Sequence, residues 1–287
     1  MTTVVSHLAD VHPRAVLGDG VQVGPFCKVG PHVTIGDGTV LDSNVVIVGH
    51  TTVGENNRFF AGSVIGGEPQ DVSYRDSGTR LEIGDGNIFR EGVTVNRGAE
   101  KEDHTTRVGH RNMLMANSHV AHNCHVHNNV ILVNGVLLGG HVHVHDRAII
   151  SGNAAVHHFS TVGTLAFIGG ASKVIRDIPP YMLAAGGDEF SVRTINIVGM
   201  QRNGISQETI AVIKRAHRLL FREHKTVAAA RETLQQELDD VFPFELTTLL
   251  NFIEQHQGGR MGRGRDLPRK LAAQEHERGE ATRRRAA

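Results

Sequence analysis

The sequence predicts an all-β parallel β-helix followed by a small α-helical domain, and three observations carry that prediction. Aliphatic or aromatic residues recur at every sixth position: Val11, Leu17, Val23, Val29, Ile35, Leu41, Ile47, Val53, Phe59 and Ile65. The residue two before each is mostly small or short: Ala15, Val21, Cys27, Val33, Thr39, Val45, Thr51. The regularity ends at Pro179-Pro180, which cannot continue a ladder, and apolar residues then take a helical spacing.

Inward positions at i and i−2 mean short strands, because side chains alternate between faces along a strand. A six-residue repeat is then one strand and one corner. Three repeats make a triangular coil of about 18 residues, and coils stack at about 4.8 Å. The phase resumes at Ile83, Phe89 and Val95, slips by one residue, and runs again from Val108 to Val174. A sandwich of short strands would need wider and less regular turn signals. The repeat resembles those of known hexapeptide-repeat families, whose coils are left-handed, an exception to the usual crossover hand. The expected architecture is therefore a left-handed parallel β-helix over residues 1–178. Two polar stretches, 66–82 and 96–107, read as loops leaving the coil, where substrate contacts commonly sit.

Residues 179–257 form the expected helical cap. Ile210, Ile213, Leu219 and Leu220 make a stripe, with Ser206 as N-cap, and 226–239 and 244–256 are also helical in pattern. Residues 258–287 carry nine Lys or Arg against four Asp or Glu and read as a flexible basic tail. The 287-residue chain has zero formal net charge, which argues against nucleic-acid or membrane-surface binding by bulk charge. No apolar run approaches a membrane span. The start, MTTVVSHLADVHP, lacks the basic and apolar regions of a signal peptide, and two cysteines do not make a disulfide framework. A soluble cytoplasmic protein is expected.

Nineteen histidines are many, and four fall in SHVAHNCHVHNN at 118–129. Residues 18 apart stack, so His122, Gly140 and His158 lie over one another. His141 and His157 fall near the same corner, and His119 shares the hexad of His122. His125 and His127 flank inward Val126, as His143 and His145 flank Val144, so these four face outward. They read first as a solvated or interface surface. Imidazole also suits zinc, but no carboxylate is evident to orient the rings, and no metal is assigned. Cys27 and Cys124 occupy small inward positions and read as buried free thiols.

The stretches GPFCKVGPHVTIGDGTVL, QDVSYRDSGTRLEIGD, REGVTVNRG, SHVAHNC, LLGGHV, AVHHF and DIPPY, followed by a helical cap, closely resemble the acyl-carrier-protein:UDP-N-acetylglucosamine O-acyltransferases of lipid A biosynthesis. The resemblance covers roughly residues 8–256. Hexapeptide repeats alone would not single out this family, since many transferases share them; the loops and the exit do. It implies homotrimers with grooves between subunits. It implies transfer of a 3-hydroxyacyl chain from acyl carrier protein to the glucosamine 3-hydroxyl of UDP-N-acetylglucosamine, with no metal or cofactor. Carried over, His122 is the general base, and the backbone N–H of Gly140 stabilises the oxyanion. His119, His141, His157 and His158 are groove positions, Asp71 lies near the sugar, and Asn196 and Arg202 bind the nucleotide. Gly170 is the acyl-chain ruler. The basic tail is expected to be dispensable for folding and to aid encounter with the acidic carrier.

Some positions depart from the family pattern. Asn123 stands where Asp is frequent after the base, His158 where Gln is frequent, and Ser73 where Lys is frequent. Val198 and Asn203 replace a Glu and an Arg. These leave room for a 3-amino sugar acceptor. The alternatives are the later N-acyltransferase of the same pathway, which carries an extra N-terminal domain, and an acetyl-CoA-dependent hexapeptide acetyltransferase. From other classes come a metal-dependent γ-carbonic-anhydrase-like trimer and a non-catalytic scaffold.

Overall fold

The structure is a computed structural model that describes residues 2–239, 241–256 and 258–266. Short parallel strands wind around a triangular prism whose three faces are sheets of eleven, nine and eight strands. As far as Lys173–Val174, each strand pairs with the one three along in sequence, as a coil of three strands requires. The register reads out the coil length directly: Arg58 pairs with Val40, and His119 with Leu137, in each case 18 residues apart. Across the loops Arg58 pairs with Ile88 and Ile88 with Met113. Those separations of 30 and 25 residues exceed 18 by 12 and 7, the lengths the two loops add without disturbing the stack.

The hexad residues form the interior. Phe59 and Phe89 stack at 4.5 Å between ring centroids and are fully buried, as are Leu114, Leu132, Ile150 and Ile168. One interior row is polar for three coils. Asn57, Asn87 and Asn112 are buried; Asn87 Nδ2 donates to Asn57 Oδ1 at 2.9 Å, and the N–H groups of Asn112 and Val130 donate to Asn87 Oδ1 and Asn112 Oδ1. This ladder satisfies corner backbone groups that would otherwise be buried without partners. Both cysteines are buried free thiols, as expected.

The boundaries differ from the sequence expectation in four places. Within the expected 1–178, strand pairing begins before the first hexad residue read from the sequence, Val11, with Val4–Val5 paired to Gln22 and Val23. Strands Val64–Gly67, Arg80–Ile83, Thr94–Asn96 and Thr105–Val108 invade the expected loops and shorten them to 68–79 and 97–104. After the prolines the chain does not turn helical at once. Strand Met182–Ala185 adds to Phe167–Ile168 and turns back antiparallel as Ser191–Ile195. This hairpin covers the edge of the last coil, which would otherwise expose unpaired backbone. Helices α1 (Ile197–Arg202), α2 (Gln207–Phe221), α3 (Val227–Glu237) and α4 (Phe244–Gln255) follow. Ser206 caps α2 as predicted, accepting from Thr209 N–H.

The fourth difference is the tail. Residues 258–266 dock back on the prism rather than leaving it. Asp177 accepts from Gly264 N–H at 2.7 Å, Arg263 donates to Ile175 O, and Arg265 donates to His141 O at 2.6 Å. The flexible tail expected from Gly258 is therefore a docked segment as far as Asp266. Residues 267–287 lie outside the described residues.

Candidate active site

A groove of about 710 Å³ runs along one prism face and its corner, lined by His119, His122, Leu137, Gly139, Gly140 and His158 among others. The corner arithmetic is realised. A Cβ built on Gly140 would lie 2.7 Å from Cε1 and 2.8 Å from Nε2 of His122, and one on Gly139 would meet His158 at 3.0 Å. Glycine at 140 is thus required for the His122 ring to occupy its place. No hydrogen bond uses the Gly140 N–H among the described residues, so this donor is open at the position where the imidazole faces.

His122 is held from behind. Its Nδ1 lies 2.9 Å from Asn123 Oδ1. The amide of Asn123 is oriented by the second loop, because Oδ1 accepts from Ala99 N–H at 2.9 Å and Nδ2 donates to Lys101 O at 2.8 Å. Oδ1 can only accept, so His122 carries its proton on Nδ1 and presents an unprotonated Nε2. Burial lowers the His122 pKa; the Asn123 contact works the other way, and neighbouring His141 adds to the lowering. The ring is accordingly neutral at neutral pH, as a base must be. In the fold the Asn123 amide serves both a donor and an acceptor of the loop backbone, which a carboxylate cannot do. Asn123 is fully buried with φ of 56°, a left-handed corner that Asn tolerates well.

His141 sits next to the base, with ring centroids 5.2 Å apart and edge-on, and stacks on Phe159 at 4.4 Å. Glu102 Oε2 lies 3.2 Å from His141 Nδ1. This contact has ion-pair reach without hydrogen-bond alignment, and both ring nitrogens of His141 are buried without a hydrogen bond. Burial works against the Glu102 charge, yet His141 and Arg265 hold its pKa below the ordinary range. His119 Nδ1 pairs with Thr94 Oγ1 at 2.7 Å, and burial with His122 nearby lowers its pKa. His157 and His158 pack at 5.0 Å on the next coil.

Asp71 reaches the site through the first loop. It accepts from Ser73 Oγ at 2.7 Å and pairs with Lys101 Nζ at 2.9 Å, which together hold its carboxyl well below the usual carboxylate range. Lys101 of the second loop thus provides a cation beside Asp71. Both charges are close enough to act on His122. Lys101, Glu102 and Arg265 were missed from the sequence; the charged run AEKED was the signal available for the first two.

Asn196 and Arg202 do not join this groove. They line a second cavity of about 410 Å³ on a different prism face, with Arg147, Phe167, Val198 and Asn203. Asn196 is the N-cap of α1, accepting from Gly199 N–H at 3.0 Å and donating to Leu165 O at 2.9 Å. Gly170 is exposed, and a Cβ there would meet only Gly152 O at 3.4 Å and Ser151 at 4.0 Å, so the position is open. The outward histidines pair up, His125 stacked on His143 at 4.4 Å and His127 edge-on to His145 at 4.9 Å. Among the described residues no group of three or more His, Cys, Asp or Glu side chains is placed to hold a metal ion.

A family model for bacterial transferase hexapeptides of six repeats matches residues 14–49 and 105–140, and one for UDP N-acetylglucosamine O-acyltransferase domain 2 matches residues 177–264. The second reaches into the docked segment. An acyl-[acyl-carrier-protein]–UDP-N-acetylglucosamine O-acyltransferase of Gloeothece citriformis is 44% identical over 62% of this chain, an alignment spanning 64% of the relative's own length. That of Stenotrophomonas maltophilia is 46% identical over 86% of this chain and 93% of the relative. Among solved structures, the UDP-N-acetylglucosamine acyltransferase of Bacteroides fragilis superposes with a TM-score of 0.83 at 35% identity, covering 87% of this chain and 96% of that one. The Campylobacter jejuni protein gives 0.82 at 31%, covering 92% and 98%. The β-helix is left-handed, like those of its structural neighbours. A hexapeptide β-helix with a matching C-terminal domain, aligned over most of its length with such relatives, shows that this chain belongs to the acyl-[acyl-carrier-protein]–UDP-N-acetylglucosamine O-acyltransferase family.

Proposed function

We propose that this protein transfers a 3-hydroxyacyl chain from acyl carrier protein to the glucosamine 3-hydroxyl of UDP-N-acetylglucosamine, the first acylation of lipid A synthesis, with His122 as general base. The observation that carries the mechanism is the arrangement at one corner: a neutral His122, its Nδ1 tied to Asn123, faces a glycine with an open N–H. Nε2 takes the proton from the sugar hydroxyl as its oxygen attacks the thioester carbonyl. Charge moves to the carbonyl oxygen, where the Gly140 N–H donates to it, a contribution of about 3 kcal/mol for a well-placed donor. Collapse forms the ester and expels the carrier's thiolate, which takes the proton back from the imidazolium. Asn123 keeps Nδ1 protonated throughout, so the proton acceptor is always Nε2.

The active assembly is a homotrimer. The His122 groove and the Asn196–Arg202 cavity lie on different faces of one prism, which suits a sugar nucleotide held between two chains. A three-fold head-to-tail arrangement apposes two different faces and closes the ring. Leu137, half exposed on the groove face, supplies apolar surface for that contact or for the acyl chain. Asp71 and Lys101 flank the groove near the base. Arg202 is exposed, with no side-chain hydrogen-bond partner among the described residues, and can meet a phosphate, whereas Asn196 has already used its side chain in capping and has only its remaining N–H and lone pair for a ligand. The open position at Gly170 leaves room for a long chain. The same reading places the reaction in the cytoplasm.

The test is an acyl-transfer assay with carrier-linked 3-hydroxyacyl chains of several lengths, offered UDP-N-acetylglucosamine and its 3-amino analogue. Ester product, lost in His122→Ala, supports the reading. Product only from the amino sugar, or full activity in His122→Ala, overturns it. Mixed trimers of His122→Ala and Arg202→Ala chains should regain part of the activity if sites form between subunits.

A further inference from the structure

We infer that Arg265 and Glu102 form a positioning pair that ties the C-terminal segment to the base at His122, an inference that rests on the acyl-transfer reading above. Arg265 makes two contacts at once. One guanidinium nitrogen donates to His141 O at 2.6 Å and another to Glu102 Oε1 at 2.7 Å. The second carboxylate oxygen of Glu102 lies against His141 Nδ1. An exposed ion pair would matter little. This one is partly buried, forked, and anchored by a segment that Asp177 and Arg263 fix independently to the last coil.

Two routes lead from Glu102 to the base. The first runs through the His141 ring, which packs edge-on against His122. The second runs along the loop itself, since Ala99 and Lys101 supply the backbone groups that orient Asn123, and Asn123 orients His122. Glu102 and His104 both hold left-handed backbone, with φ of 53° and 63°. Such conformations in ordinary residues persist where the surroundings enforce them. The Arg265 fork is that enforcement: it reaches across 163 residues of sequence and holds the loop at Glu102. Neither residue touches substrate in this account; both act through His141 and Asn123.

The experiment uses the full chain with Arg265→Ala, Glu102→Gln, the double substitution and Arg265→Lys. Each single variant should lower kcat about tenfold while both KM values stay within about twofold, because the acceptor and donor surfaces remain and only the base is displaced. The double variant should be no worse than the weaker single, the sign of one shared interaction. Arg265→Lys, which keeps the charge but not the fork, should fall between. Amide hydrogen exchange over residues 97–104, measured without substrate, should rise in Arg265→Ala. Full kcat in both single variants, or losses that multiply in the double, overturn the inference. If the wild-type chain forms no ester, the acyl-transfer reading fails by itself; unchanged exchange at 97–104 in Arg265→Ala would then still overturn the clamp.

Discussion

Replacing Asn123 by Asp would put a carboxylate beside the base, and in this chain it should destabilise the protein. Asn123 is fully buried. Its Oδ1 accepts from Ala99 N–H and touches His122 Nδ1, and Asp would keep both contacts. Its Nδ2 donates to Lys101 O at 2.8 Å and more weakly to Ala99 O at 3.4 Å, and Asp would lose these. An ionised carboxylate would instead face a carbonyl oxygen at hydrogen-bond distance. Leaving the Lys101 carbonyl unsatisfied costs about 1–3 kcal/mol, and the buried charge adds to it. For a chain of this size about 2 kcal/mol lowers Tm by roughly 4–8 °C. The new carboxyl escapes by keeping its proton and donating it to Lys101 O. Its folded pKa is then raised above the unfolded value, so the contact survives at low pH and is lost as pH rises through the folded pKa. The Tm deficit of Asn123→Asp should therefore be larger at pH 8 than at pH 5 by scanning calorimetry. A variant as stable as wild type at pH 8 would refute the role given to the amide.

Three further predictions follow from the same geometry. Gly140→Ala pushes a methyl into His122 at under 3 Å, so kcat should drop at least 100-fold with little change in Tm; an active Gly140→Ala enzyme would remove Gly140 from the mechanism. Burial pushes His145 down to about 4 and His143 to about 2, so the unfolded chain binds protons that the fold excludes, and stability should fall as pH drops below the ordinary imidazole range. Each histidine contributes at most about 1.4 kcal/mol per pH unit, and a Tm that stays flat from pH 7 to 4.5, or an equal slope in His145→Gln, would contradict this. Cys124 is fully buried with its thiol pushed up to about 12, so it should resist iodoacetamide in the native protein and react only on unfolding, as intact-mass measurement would show.

The hexad periodicity determined the prism, its core and the stacking of His122 on Gly140, because a coil repeats its geometry every 18 residues and side-chain alternation needs no distant information. The loops and the ends obey no such period. Whether Glu102 meets Arg265, Lys101 meets Asp71, or residues 182–195 add a hairpin depends on partners up to 163 residues away, and on an open sheet edge that exists only once the last coil has formed. Asn123 shows the division most clearly. Its place beside the base was legible in the sequence. Its reason for being an amide was not, since that reason is one backbone donor and one backbone acceptor brought to it by a loop, and only the tertiary fold carries them there.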